Sequence, residues 1–257
     1  MVEVFAVASG KGGTGKTTSA VALGMALAAD HAVTIVDADT GMANLLFHTG
    51  LADAETTLHD LLIADRDAAV ADAVYERYGM RVVPCGTSLE GLRAADPTQL
   101  REVVATLSAD ADVIILDSPA TLESQSAVLP IVLADRTLIV LQPTVPALSD
   151  GLKVQAYART YGTDGAGVIF NRVTKTESID RITEQTERYF DGPLLGTVPE
   201  HPAVRGAREA GKPLLAHAPQ SPPAAAFRSI ADQITVHDHD ADRVADRFRN
   251  AVIPEPP

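Results

Sequence analysis

Cysteine is nearly absent from this chain. Cys85 is the only one in 257 residues, so no disulfide can form within one copy, and no metal or cluster site can take two thiolates from it. A small, buried, apolar role suits such a thiol. Long apolar runs are missing as well: nothing approaches the roughly 18 consecutive apolar residues that a membrane-spanning helix needs. The short apolar run at the start is broken by Glu3 and leads straight into a glycine-rich loop, which is not the pattern of a signal peptide. A cytoplasmic protein is the expectation.

Lysine is the next scarcity. Five lysines stand against sixteen arginines, Asp and Glu together number 34, and the formal net charge is -13. Non-specific DNA binding rests on neutralising many phosphates, so this balance disfavours it. An acidic, lysine-poor surface also resembles that of proteins from salt-loving microbes. At ~1 M salt the Debye length is ~3 Å, and even a basic patch would then hold DNA or lipid weakly.

What is present alternates. Apolar, β-prone runs occur at Val2–Ala8, His31–Val36, Met80–Pro84, Asp112–Leu116, Thr137–Leu141, Ala166–Phe170 and Pro193–Val198, with helical stretches between them. Short apolar strands separated by helices predict an α/β fold, a mainly parallel twisted sheet with helices on both faces. Ligands of such sheets bind beyond the C-terminal ends of the strands. A closing helix is expected over Pro223–Thr235, with Phe227, Ile230 and Ile234 on one face. That divides the chain into a domain at 1–235 and, at 236–257, a polar linker with a short amphipathic tail.

Gly10–Thr17, "GKGGTGKT", fits the phosphate-binding pattern G-x-x-x-x-G-K-[ST], placed between a predicted strand and a predicted helix as a P-loop NTPase requires. Glycines let the backbone wrap inward, so that successive N–H groups and the helix N-terminus face the phosphates. The nucleotide-binding candidates are therefore Gly10, Lys11, Gly12, Gly13, Thr14, Gly15, Lys16, Thr17 and Thr18. Lys16 brings charge to the β- and γ-phosphates, and Thr17 can ligate Mg²⁺. Carboxylates for the metal and the attacking water are offered by Asp37 and Asp39 after the second strand, and by Asp117 at the end of "DVIILD".

Lys11 has no role in a cradle that needs one lysine. The stretch "KGGTGKTT" resembles the deviant Walker A motif of the MinD/ParA superfamily, whose signature is the extra lysine. "DADTGMANL" and "DSPA" are similar to its switch I and switch II, "GVIFNRV" and "GTVPEH" to its base-contacting segments, and "VPCGTSLEGLR" to a stretch of archaeal MinD-like members. The resemblance runs from residue 1 to about residue 235. It implies an ATPase that uses ATP and Mg²⁺, dimerises face to face with ATP bound, and releases on hydrolysis to ADP. In that scheme Lys11 reaches the partner subunit's nucleotide, Lys16 serves its own, Thr17 and Asp117 hold Mg²⁺, and Asp39 holds metal and orients water. Asp37 stands behind them, and Asn171, Arg172, Pro199 and Glu200 frame adenine. A homodimer, a protein partner or cargo, and spatial positioning of the division site, cell shape or surface structures follow from the same likeness. The alternatives are a DNA-partition ATPase of the ParA type and a metabolic ligase of the superfamily; a metal-cluster carrier would need paired cysteines.

Thr121 departs from the pattern, standing where switch II usually has glycine. A β-branched residue resists positive φ, so slow or loosely coupled hydrolysis is expected. His237–Asp240, "HDHD", has no cysteine partner and no helical histidine pair, which argues against a metal site, and the other histidines read as surface residues. In the tail, Val244, Phe248 and Val252 recur every four residues, while Arg243, Arg247 and Arg249 are balanced by Asp240, Asp242 and Asp246. Membrane contact on the inner face, docking on the domain or a partner, and a solvated tail are all compatible with that stripe.

Overall fold

The computed structural model describes residues 2–64, 68–174 and 179–253. Among the described residues, eight strands form one sheet: β1 (Glu3–Ala8), β2 (Val33–Asp37), β3 (Tyr75–Arg77), β4 (Met80–Val83), β5 (Val113–Asp117), β6 (Arg136–Leu141), β7 (Asp164–Val173) and β8 (Leu194–Pro199). Their order is β3-β4-β2-β5-β1-β6-β7-β8. Every pairing is parallel except β3 with β4. The expected strands are all found, with boundaries shifted by a few residues.

β3 was not foreseen. It pairs with β4 through the two-residue turn Tyr78–Gly79, where φ is 52° and 80°. Such turns need positive φ at both positions, which glycine accepts readily.

Twelve helices surround the sheet among the described residues: α1 (Lys16–Leu27), α2 (Leu45–Thr49), α3 (Leu58–Leu61), α4 (Leu89–Ala94), α5 (Leu100–Leu107), α6 (Gln125–Leu133), α7 (Val145–Thr160), α8 (Ile179–Tyr189), α9 (Pro202–Glu209), α10 (Leu214–His217), α11 (Pro222–Ala231) and α12 (Ala241–Arg249). Side chains alternate along each strand, and here both faces are buried. Phe5, Val7, Val113 and Ile115 meet α1 and α11, whereas Val4, Ala6, Ile114 and Leu116 meet α5, α6 and α12. Each fully buried Val, Leu, Ile or Phe contributes roughly 1.5–3 kcal/mol, which is why the central strands are mostly apolar on both faces.

The closing helix is shorter than its sequence pattern. α11 stops at Ala231, and Ile234 is buried just beyond it. The Gln233 amide donates to the Leu195 carbonyl at 2.8 Å, and the chain then turns beneath the sheet. There His237 N–H donates to Glu3 Oε2 at 2.6 Å, and Val2 N–H donates to the His239 carbonyl at 2.8 Å. Asp240 caps α12 by accepting from Arg243 N–H at 3.0 Å.

α12 lies on α5, with Val244, Ala245 and Phe248 buried in the core. Arg249 pairs with Glu102 at 3.2 Å, and Arg247 pairs with Asp135. Val252 falls beyond the helix and is 73% exposed, so the apolar stripe ends at Phe248. No helix of the described residues is long and apolar enough to cross a membrane.

Because Phe248 is 1% exposed, Phe248→Ala should lower stability by about 3–5 kcal/mol. Urea unfolding at neutral pH measures this. A loss below about 1 kcal/mol would show that the helix does not dock in solution.

Candidate functional site

β1 ends at Ala8 and α1 begins at Lys16, which leaves a seven-position loop in the middle of the sheet. Gly15, with φ of 95°, lies where an added Cβ would come within 2.2 Å of Asn171 Nδ2. Gly10 is pressed against helix α7, and a Cβ there would sit 2.6 Å from backbone atoms of Asp150. Both positions exclude a side chain for packing reasons alone.

Inside the loop Thr14 donates to Ser9 Oγ at 3.0 Å, and Ser9 donates to the Lys11 carbonyl at 2.8 Å. Lys16 Nζ donates to Ser9 Oγ at 3.3 Å. The first intrahelical bond shown here runs from Ser19 N–H to Gly15 O, so the N–H groups of Lys16, Thr17 and Thr18 are the uncommitted donors of a helix N-terminus.

The carboxylates are set by strand register. β5 lies between β1 and β2, opposing Asp117 to Val7 on one side and to Asp37 on the other. Asp37 and Asp117 are 0% and 1% exposed. Asp37 Oδ2 accepts from Asn44 N–H at 3.1 Å and Leu45 N–H at 3.0 Å, which ties the start of α2 to the strand edge. Asp39 Oδ1 accepts from Met42 N–H at 3.0 Å.

Burial raises the Asp37 carboxyl well above the usual range, and the neighbouring Asp117 adds to it. Burial also pushes Asp117 up to about 7, against a hydrogen bond with Thr17 and the charge of Lys16. Lys16 is lowered by burial, partly offset by Asp117 and Asp39. Asp37 Oδ1, Asp117 Oδ1 and Ser118 Oγ are buried without a hydrogen-bond partner among the described residues. Orphaned hard oxygens beside a threonine hydroxyl are a donor set that suits Mg²⁺.

Above these groups opens a cleft of about 670 Å³. Of the predicted residues, Gly12, Gly13, Gly15, Lys16, Thr17, Thr18, Asp39, Asn171, Arg172, Pro199 and Glu200 line it. Gly10, Lys11, Thr14 and Asp117 do not: Thr14 and Asp117 are buried beneath it, and Lys11 is half-buried to one side. Asn171 Nδ2 donates to the Thr14 carbonyl at 2.8 Å. Arg172, at φ 58°, donates to the Gly13 carbonyl at 3.1 Å and pairs with Glu200 at 3.3 Å. Both side chains thus brace the loop as well as walling the cleft.

Sequence reasoning missed the far wall, where His48 on α2 faces Arg205 and Arg208 on α9. His48 is lowered to about 4, by burial first and then by Arg208, and so presents a neutral ring. The spacing of Arg205 and Arg208 on one helix face was the available signal. The assignment of the remaining histidines to the surface also fails at His59, which is 3% exposed and bonded through Nε2 to the Thr40 carbonyl at 3.0 Å. Thr121 is exposed and is not among the residues of positive φ, so the strain expected at that position is not found here.

A family model described as the CobQ/CobB/MinD/ParA nucleotide binding domain matches residues 5–214. An uncharacterised ATP-binding protein of Methanocaldococcus jannaschii is 39% identical over 236 residues, spanning 91% of this chain and 88% of the relative. Among solved structures, the cell division ATPase MinD of Pyrococcus furiosus superposes with a TM-score of 0.83 at 34% identity, over 91% of this chain and 98% of that one. The septum site-determining protein MinD of Pyrococcus horikoshii, complexed with Mg-ADP, gives 0.82 at 33% identity, over 91% and 96%.

The raised carboxyls make a pH dependence. Asp117 favours its protonated form in the fold, so its contribution is complete below its ordinary value near 3.8 and is lost as pH rises through about 7. Asp37 acts in the same direction. In the absence of nucleotide and divalent ions, Asp117→Asn should therefore be more stable than the wild type at pH 8, by on the order of 1–3 kcal/mol, and the gain should shrink towards pH 5. Melting temperatures across that range test it, and parallel profiles would refute it.

Proposed function

The chain belongs to the CobQ/CobB/MinD/ParA nucleotide-binding domain family, and on that premise we propose that it is an ATP-dependent molecular switch. It binds ATP with Mg²⁺, dimerises in that state, and hydrolyses ATP slowly to ADP and phosphate. Its task is to position another component of the cell, as the names of its MinD relatives describe for them.

The observation that carries this reading is the unequal placement of two lysines in one loop. Lys16 is 8% exposed and lines the cleft. Lys11, five residues earlier, stands outside that cleft and makes no ion pair with a described residue. A half-buried cation beside a phosphate loop, outside the cleft that Lys16 lines, is suited to a second copy's phosphates. A charge supplied by a partner makes turnover depend on assembly. Met42 at the cleft rim is 74% exposed and Leu89 nearby is 69% exposed, which leaves apolar surface on the same end for a second subunit to cover.

The residues divide the work by chemistry. Lys16 and the N–H groups at the start of α1 hold the phosphates. Thr17, Asp117 and Asp39 would hold Mg²⁺, which when bound neutralises charge on the phosphate oxygens. Asp39, whose carboxylate accepts from Met42 N–H, would orient water. Asn171, Arg172, Pro199 and Glu200 would frame the base, and His48 adds an uncharged ring. Membrane contact through the tail is not part of the proposal, because Val244 and Phe248 are already buried against α5. DNA is disfavoured too, since Arg247 and Arg249 are paired with carboxylates.

Two measurements test this. In light scattering with ATP and Mg²⁺, an Asp39→Ala variant should double in mass, and adding Lys11→Ala should return it to monomer while nucleotide stays bound. An Asp39→Ala protein that remains monomeric would refute the switch. Thr121→Gly should raise ATP turnover several-fold if the nucleotide-bound state needs positive φ at that position; equal turnover with equal dimerisation would remove that role for Thr121.

A further inference from the structure

We propose that Glu3, His237 and His239 form a binding site for a divalent transition-metal ion of the zinc class, at the end of the sheet opposite the nucleotide cleft. One candidate ligand atom from each residue lies within 4.8 Å of the others. The three come from chain segments 234 positions apart. The H-x-H spacing alone was no site, and the fold supplies what it lacked: a buried carboxylate at the start of β1.

Lone-pair accounting on Glu3 favours a metal. The carboxylate is 0% exposed. Arg136 Nε donates to Oε1 at 2.7 Å, and Oε2 accepts from Arg136 Nη2 at 3.0 Å and His237 N–H at 2.6 Å. Each carboxylate oxygen has two acceptor sites, so one remains on Oε1. His237 Nδ1 faces that oxygen at 3.4 Å. Ligands held about 2.0–2.1 Å from a tetrahedral Zn²⁺ stand about 3.3–3.4 Å apart, so this pair already has the separation of a metal edge.

The guanidinium does not block the approach. It is held on the other side by stacking 5.0 Å over the Phe5 ring and by the Thr235 carbonyl, to which it donates at 2.5 Å. It therefore orients the carboxylate, as a hydrogen-bond partner behind a metal ligand does.

The His237 and His239 rings are 6.3 Å apart and edge-on. Both belong to a surface linker, where an imidazole rotates at little cost. Two nitrogens and one oxygen select zinc-class ions over Mg²⁺ or Ca²⁺. Three protein ligands leave a fourth position for water, and His239 also lines a cleft of about 410 Å³ with Asp135 and Asp240. Bound there, the ion would fasten the linker to β1 and with it the docking of α12.

The test is calorimetric titration of the chelator-stripped full-length chain with Zn²⁺ alone, in excess Mg²⁺ so that the carboxylates of the nucleotide cleft stay occupied. One Zn²⁺ per chain is expected, with affinity reduced at least about tenfold in His237→Ala and in His239→Ala, and unchanged in His31→Ala and Asp39→Ala. His237 is exposed and His239 half-buried, so their loss does not threaten folding as substitution of the fully buried Glu3 would. With Co²⁺ in place of Zn²⁺, the wild type should show a tetrahedral visible spectrum that the His237→Ala/His239→Ala protein lacks. Absence of stoichiometric binding, or binding that the double variant retains, overturns the site and leaves a simple His237–Glu3 hydrogen bond.

Discussion

Two carboxylates on adjacent buried strands, Asp37 and Asp117, face one another in register at the C-terminal edge of the sheet, and the functional end of the molecule is arranged around that opposition. Their neighbours in the low-dielectric interior are each other, Asp39 and one lysine. Charge there is stable only when balanced. The fold supplies part of the balance through Lys16, the Thr17 hydroxyl and the N–H groups of Asn44 and Leu45. The remainder, seen in buried oxygens without a partner, gives the apo protein a standing preference for protons or a hard cation.

The same constraint links the loop to the segments around it. Asp37 holds the start of α2, Asn171 and Arg172 hold the phosphate loop from the other side, Gly15 allows the approach of Asn171, and Gly10 allows that of α7. A shift in any of these would be transmitted to the others, because interiors packed at this density deform as units. The cleft is thus a junction of five strand ends: β1, β2, β5, β7 and β8.

At the opposite end of the sheet, a second buried charge organises the chain termini. Glu3 meets Arg136 in a bidentate pair, and the linker that follows α11 lies against it. That contact is why α12 reaches α5. A helix whose composition suits solvent, membrane or partner equally becomes part of the core, because three apolar side chains, Val244, Ala245 and Phe248, find a complementary surface there.

The sequence by itself determined what depends on local chemistry. Short, near-continuous apolar runs separated by helical stretches specified a parallel sheet buried on both faces, and the glycine and lysine spacing of residues 10–17 specified the phosphate loop, since backbone wrapping and helix N-terminal donors are short-range properties. Asp37, Asp39 and Asp117 were legible for the same reason, as acids ending apolar strands. Only the tertiary structure decided which groups from distant segments meet: His48 with Arg205 and Arg208, His59 under Thr40, the tail on α5, and Glu3 beside His237 and His239. Those meetings depend on strand order and on the path of the chain after α11, which are fixed by the summed burial of the whole core and leave no periodic mark in any one stretch of residues.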